Sequence, residues 1–103
     1  MTSTRAETLG PAGRLELALD EAGGNVAAVA VICHPHPLQQ GTMQNKVVTT
    51  LARTFANLGA VAIRFNFRGV GDSEGNHADG VGERDDAAAV VAYGRQRWPG
   101  LPL

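Results

Sequence analysis

The sequence predicts an α/β fold in which a partial, doubly wound parallel sheet is flanked by helices. Three observations point there. A continuously apolar run, "VAAVAVIC" at 26–33, has the length and β-branched content of a strand buried on both faces, and "AVAIRFNF" at 60–67 is a second apolar run that reads as a strand. Between them, apolar residues recur at helical spacing. A second helical stretch follows the second run, and strands that alternate with helices imply a parallel sheet.

In chain order, residues 1–12 carry little apolar patterning and are expected to be frayed. "RLELALD" (14–20) then alternates Leu15, Leu17 and Leu19 with polar or small neighbours, the period of a half-buried strand. The turn residues "EAGGN" lead into the run 26–33. "HPHPLQQGTMQN" (34–45) is a loop, because prolines at 35 and 37 oppose a helix and Gly41 adds freedom. Val47, Val48, Leu51, Phe55 and Leu58 define an amphipathic helix with Asn45 as N-cap and Gly59 as its stop. Gly59 leads directly into 60–67, so strand, helix and strand form a βαβ unit with a right-handed crossover. The loop 68–82 holds Gly69, Gly71, Gly75, Gly80 and Gly82, and a second helix begins at about Glu83. Glu83, Asp85 and Asp86 then lie near its positive end. Ala87, Val90, Val91 and Tyr93 to Trp98 supply its inner face. "WPGLPL" stops this helix and brings the first residues of a further strand.

With 103 residues, 44% hydrophobic and 18% charged, the chain fits one small globular domain and not a disordered segment. A net charge of -1 with no block of like charge offers nothing to nucleic acid or an anionic membrane, and neither partner is expected. No N-terminal apolar segment resembles a signal peptide, and no run approaches the ~18 apolar residues of a membrane span, so a cytoplasmic location is expected. Cys33 is the one cysteine, which excludes an internal disulfide; closing an apolar run, it is expected to pack in the core.

"GVGDSEGNHADG" (69–80) contains Gly71, Asp72, Ser73, Glu74 and Gly75, a literal G-x-S-x-G. That pattern carries nucleophilic chemistry only where a strand ends at the serine and a helix begins just after it, lifting Oγ clear of the backbone. Ser73 lies at least five residues past the strand and about ten before the helix. The one histidine after it, His77, precedes Asp79, Asp85 and Asp86, against the serine, acid, histidine order of the α/β type. Ser73 therefore reads as a polar residue in a Gly-rich turn, a decoy and not a catalytic residue. Gly69, Gly71 and Gly75 give G-x-G-x-x-x-G, the wrong spacing for a dinucleotide site, and no cofactor is expected. His34 and His36 could form a metal pair, but a zinc site wants three or four ligands and no third is signalled nearby, so no metal is expected. Arg68, close in sequence to Asp72, Glu83, Asp85 and Asp86, is expected to anchor the Gly-rich loop to the second helix by ion pairs. Arg64 and Asn66 end a strand where open α/β sheets bind ligands, a weak pointer to substrate.

Together, "VICHPHPLQQGTMQNKVV", "AIRFNFRGVGDSEG" and "GVGERDDAAAVVAY" resemble the first half of a bacterial subfamily of predicted α/β hydrolases. Its members share a His-Pro loop, an Arg-Phe-Asn-Phe-Arg-Gly strand end and a Gly-Glu-x-Asp-Asp helix start. The likeness covers about residues 26–103 and implies that 1–103 is a single incomplete domain, the N-terminal half of an α/β-hydrolase fold. In such enzymes the serine elbow lies on the strand after the second helix. Here that strand would start near Leu101, so nucleophile, acid and base would all lie beyond residue 103. The loop after the first apolar strand supplies one backbone N–H of the oxyanion hole. Among residues 35–38 the prolines have no N–H to give, leaving His36, which matches the donor position, and Leu38. The function implied is that of the N-terminal fragment of a serine hydrolase acting on an ester or similar acyl substrate, inactive as written. The rival reading is a non-catalytic α/β interaction or structural module. The resemblance also places strand 60–66 on one side of 26–33 and the elbow strand on the other. Uncharged and free of proline, 26–33 would expose an edge through which the chain self-associates.

Overall fold

The computed structural model of the chain describes residues 1–34, 42–76 and 80–103. Its elements are β1 (Thr2–Gly10), β2 (Gly13–Glu21), β3 (Ala28–Ile32), α1 (Lys46–Asn57), β4 (Ala60–Phe65) and α2 (Val81–Arg97). The strands form one sheet in the order β1-β2-β4-β3. β3 and β4 run parallel, joined through α1, with Val29 opposite Val61 and Val31 opposite Ile63. β2 runs antiparallel to β4, with Leu17 opposite Phe65, and β1 antiparallel to β2. The sheet is thus mixed, parallel only across β3 and β4. The two-residue connection between β1 and β2 can return the chain only antiparallel, whereas α1 provides the long crossover that parallel pairing needs.

Residues 1–12 were expected to be frayed; instead nine of them form β1, paired with β2 along its full length. Hydrophobic patterning gives little sign of this strand because its side chains are mostly exposed and Ala6 is one of the few that packs on the core. Backbone pairing to a well-anchored neighbour holds it in place.

Alternation along the strands sends neighbouring side chains to opposite faces. On one face Leu15, Leu17, Leu19, Val29, Val61, Ile63 and Phe65 pack with Val90 of α2. On the other, Ile32 and Ala62 meet Val48 and Ala52 of α1. β4, central and covered on both sides, is buried at all six positions, which is why its sequence is apolar apart from Arg64. Gly94 lets α2 approach closely: a Cβ there would stand 3.2 Å from both Ile63 and Val29.

The helices start with different devices. Asn45 caps α1, its Oδ1 accepting the Val47 N–H at 2.9 Å. The buried residues of α1 are Val48, Ala52 and Ala56. Of the five apolar residues that marked it in sequence, only Val48 is fully inside; Val47, Leu51, Phe55 and Leu58 are exposed, because the helix seats on its alanines. α2 begins at Val81, two residues before the expected Glu83, whose carboxylate accepts the Gly80 N–H at 3.0 Å. Cys33, expected in the core, is exposed just past the end of β3. Leu101 packs on the α2 side of the core, and the Pro102 carbonyl accepts the Val29 N–H at 2.8 Å. Among the described residues no helix is long and apolar enough to cross a membrane.

Candidate functional site

The loops that leave the C-terminal ends of β3 and β4 meet around His34, Asn66 and Phe67. His34 is buried, and its Nε2 accepts the Phe67 backbone N–H at 3.0 Å while the two rings meet edge to face with centroids 4.7 Å apart. A ring nitrogen that accepts this bond carries no proton, so the imidazole proton is on Nδ1, and Nε2 has no lone pair left for a metal. His36 and Leu38 lie outside the described residues, and with them both proposed oxyanion donors. The flanks of their segment are anchored to β4 and its exit. His34 is bonded to Phe67, and at the far side the Met43 N–H donates to Asn66 Oδ1 at 2.7 Å while the Met43 carbonyl accepts from Arg64 Nη1 at 2.9 Å.

Arg64, at first sight a substrate ligand, uses its five donors on the protein. Nε and Nη2 bind Asp20 at 2.6 and 3.2 Å, Nη1 reaches Met43 O and Gln44 Oε1, and Nη2 also reaches Ser3 Oγ at 3.3 Å. Burial pushes the Asp20 carboxyl upward, but hydrogen bonds from Arg64 and Ser3 and the charges of Arg64 and Arg53 outweigh it and hold the group below its usual range. Arg64 is therefore a buried brace between β4, β2 and the segment entering α1.

Asn66 is a second brace. Its Nδ2 donates to Glu16 Oε1 at 2.7 Å, and the same oxygen accepts the Asp72 N–H at 2.9 Å, while Glu16 Oε2 takes Arg5 at 2.7 Å. The Gly-rich loop folds tightly over this pair. Gly71 has a φ of +54°, and a Cβ there would sit 2.5 Å from Asn66 Nδ2 and 2.7 Å from Glu16 Oε1, so both conformation and space require glycine.

Ser73 is buried in the same layer, eight residues after Phe65 and eight before Val81. Its Oγ donates to the Asn66 carbonyl at 2.6 Å and accepts the Glu16 N–H at 2.9 Å, and its own N–H closes a turn to Val70 O. Arg68 grips Asp86 in α2 through Nε at 3.1 Å and Nη2 at 2.9 Å, with its backbone N–H also on Asp86 Oδ2 and Nη2 on Gly82 O. The hydrogen bond to Asp86, offset in part by burial, raises the guanidinium pKa further. Glu83 turns to Gly80, and Asp72 is exposed with its backbone held by Glu16; the ion pair of Arg68 is made with Asp86. The sequence marks Arg68 and Asp86 together but carries no sign of the links from Glu16 to Asn66 and Ser73 or from Asp20 to Arg64, which span 44 to 57 residues. A cleft of about 270 Å³ opens beside Met43, Asn66 and Gly71, at the end of the sheet where the β3 and β4 loops emerge.

No family model matches the chain. Among solved structures, an α/β serine hydrolase homologue from Coxiella burnetii superposes with a TM-score of 0.91 at 45% identity, over 98% of this chain and 49% of that one. A Xanthomonas campestris α/β serine hydrolase without a lid gives 0.86 at 42% identity, over 94% and 46%. This is the N-terminal portion of an α/β-hydrolase fold. Both neighbours support the α/β-hydrolase superfamily for this chain. An uncharacterised protein of Rickettsia prowazekii is 42% identical over 90 residues, 87% of this chain and 38% of its own length. The α/β-hydrolase portion thus spans less than half the length of each of these relatives.

Proposed function

We propose that this chain is the N-terminal part of a serine hydrolase for esters or similar acyl compounds, supplying the framework of an oxyanion loop and not the nucleophile. The observation that carries the reading is the likeness, over nearly its whole length, to about half of an α/β serine hydrolase homologue at 45% identity. The residues of this chain agree with that division of labour. Ser73 Oγ, held between Asn66 O and Glu16 N, is committed to structure and is not raised on an elbow. Arg64, Asn66 and His34 brace both flanks of the segment with His36 and Leu38, whose backbone N–H groups would face the developing oxyanion. A cytoplasmic setting and the absence of cofactor, metal, nucleic acid or membrane partner belong to the same proposal.

The chain alone should not turn over a short-chain aryl ester, because an acyl-enzyme needs a nucleophile and a base besides oxyanion donors. Turnover that disappears with Ser73→Ala would overturn this and make Ser73 the nucleophile. In a complete enzyme containing this segment, His36→Leu keeps the backbone donor and should leave kcat nearly unchanged, while His36→Pro removes it and should lower kcat roughly 10²-fold or more. Loss of activity in His36→Leu would instead assign the imidazole.

A further inference from the structure

We infer that the free edge of β1 pairs with β1 of a second copy, antiparallel about a two-fold axis at Ala6, so that one sheet runs through a homodimer. Among the described residues β1 ends the sheet and is paired on one side only, by β2. The direction of its remaining backbone groups follows from β2. There the Arg14 and Glu16 carbonyls accept from Glu74 N and Asn66 N, and their amides donate to Glu74 Oε1 and Ser73 Oγ, partners beyond the far edge of β2. Residues opposite each other in an antiparallel ladder turn their backbone groups either both toward or both away from one another. Leu9 and Glu7, opposite Arg14 and Glu16, therefore turn N–H and C=O outward, and the period of two adds Arg5 and Ser3.

A two-fold axis brings a strand against its own copy antiparallel. Centred on Arg5 or on Glu7, that pairing sets a charge against itself. Centred on Ala6, it sets Arg5 opposite Glu7 of the second copy twice over, and it also pairs all nine residues Thr2–Gly10. Four outward-facing pairs then exchange about eight backbone hydrogen bonds, two for each pair. Arg5 and Glu7 already bind β2 on this face, Arg5 to Glu16 at 2.7 Å and Glu7 to Arg14 at 3.2 Å, with their side chains 65% and 66% exposed. In the dimer each stands between two opposite charges, so the signs alternate through Arg14, Glu7, Arg5 and Glu16 across four strands. On the other face Ala6 meets Ala6 and Thr4 meets Thr8, pairs that let the strands close. Edge strands are ordinarily defended by short length, charge or proline. β1 is long and has no proline, and its charges repel in the neighbouring registers while attracting in this one. The opposite end of the sheet suits a copy less: β3 has five residues, and its Val29 N–H already donates to Pro102 O at 2.8 Å.

Sedimentation of the chain across a concentration series should show a monomer–dimer equilibrium. As the dimer forms, the amides of Ser3, Arg5, Glu7 and Leu9 should gain protection from exchange. Arg5→Glu leaves only acidic charge on the edge and Glu7→Arg only basic charge, so each variant alone should dimerise roughly tenfold or more weakly. An equimolar mixture of the two should recover association as a heterodimer, which also demonstrates that both fold. If either variant is unfolded, amide protection in the wild type decides. A wild type that is monomeric at every soluble concentration, a dimer whose four amides exchange fast, a dimer indifferent to both reversals, or a mixture of folded variants that does not associate would overturn the inference.

Discussion

Ser73 Oγ carries two hydrogen bonds to separate parts of the chain. It satisfies a buried acceptor, Asn66 O just past the end of β4, and a donor, Glu16 N in β2. Ser73→Ala leaves both without a partner, and the expected loss is about 1–3 kcal/mol, read as a lower urea midpoint with an unchanged slope. Spacing was enough to reject Ser73 as an elbow serine, but its partner Glu16 lies 57 residues away and is invisible to any local pattern. Asp20 supports a second prediction. Because Arg64 and Ser3 hold its carboxyl below the usual range despite burial, the folded chain binds that proton more weakly than the unfolded chain does. Its stabilisation is complete above the unfolded value of about 3.9 and is lost as the pH falls through the lower folded value. Urea unfolding between pH 2 and 6 should show a smaller acid-induced loss in Asp20→Asn than in the wild type, and a lower stability at pH 6. Equal acid sensitivity in the two proteins would place the titrating group elsewhere.

At the scale of the element, α1 carries a wider apolar stripe than the sheet covers. Val48, Ala52 and Ala56 face inward, while Val47 and Leu58 are 63% and 76% exposed. Lysine at either exposed position should change stability by no more than about 0.5 kcal/mol. Asn45→Ala, which removes the cap on the Val47 N–H, should cost about 1 kcal/mol. Thermal melts of the three variants rank them, and a large loss from Val47→Lys or Leu58→Lys would mean that this stripe is covered in solution. The helix, its cap and its stop were legible because periodicity and capping are local. Which of its apolar residues go inside was not, because small alanines set how closely the helix seats on Ile32 and Ala62. β1 is the opposite case, a strand with weak patterning that exists through its partner.

For the molecule as a whole, the last three residues belong to the sheet without forming a strand. Deleting 101–103 removes the acceptor of the Val29 N–H and the Leu101 side chain from the core. Amide exchange at Val29 should then accelerate while Val61 and Ile63, central in β4, keep their protection. Unchanged exchange at Val29 would show that the Pro102 contact does not persist in solution. The Arg68–Asp86 pair acts at the same scale, since it ties the loop after β4 to α2.

The sequence by itself determined the β3-α1-β4-α2 order and the leucine face of β2. These follow from period-two and helical patterning, which each residue expresses through its own burial. It also determined that Ser73 lacks an elbow, because an elbow is a local geometry with a local spacing. Tertiary structure alone decided that β1 joins the sheet, that Arg64 and Asn66 brace the segments around the site, and that the edge of β3 already holds Pro102. These features depend on backbone and polar groups far apart in the chain. Hydrogen bonds of that kind leave no periodic trace, since any suitably placed donor and acceptor can make them.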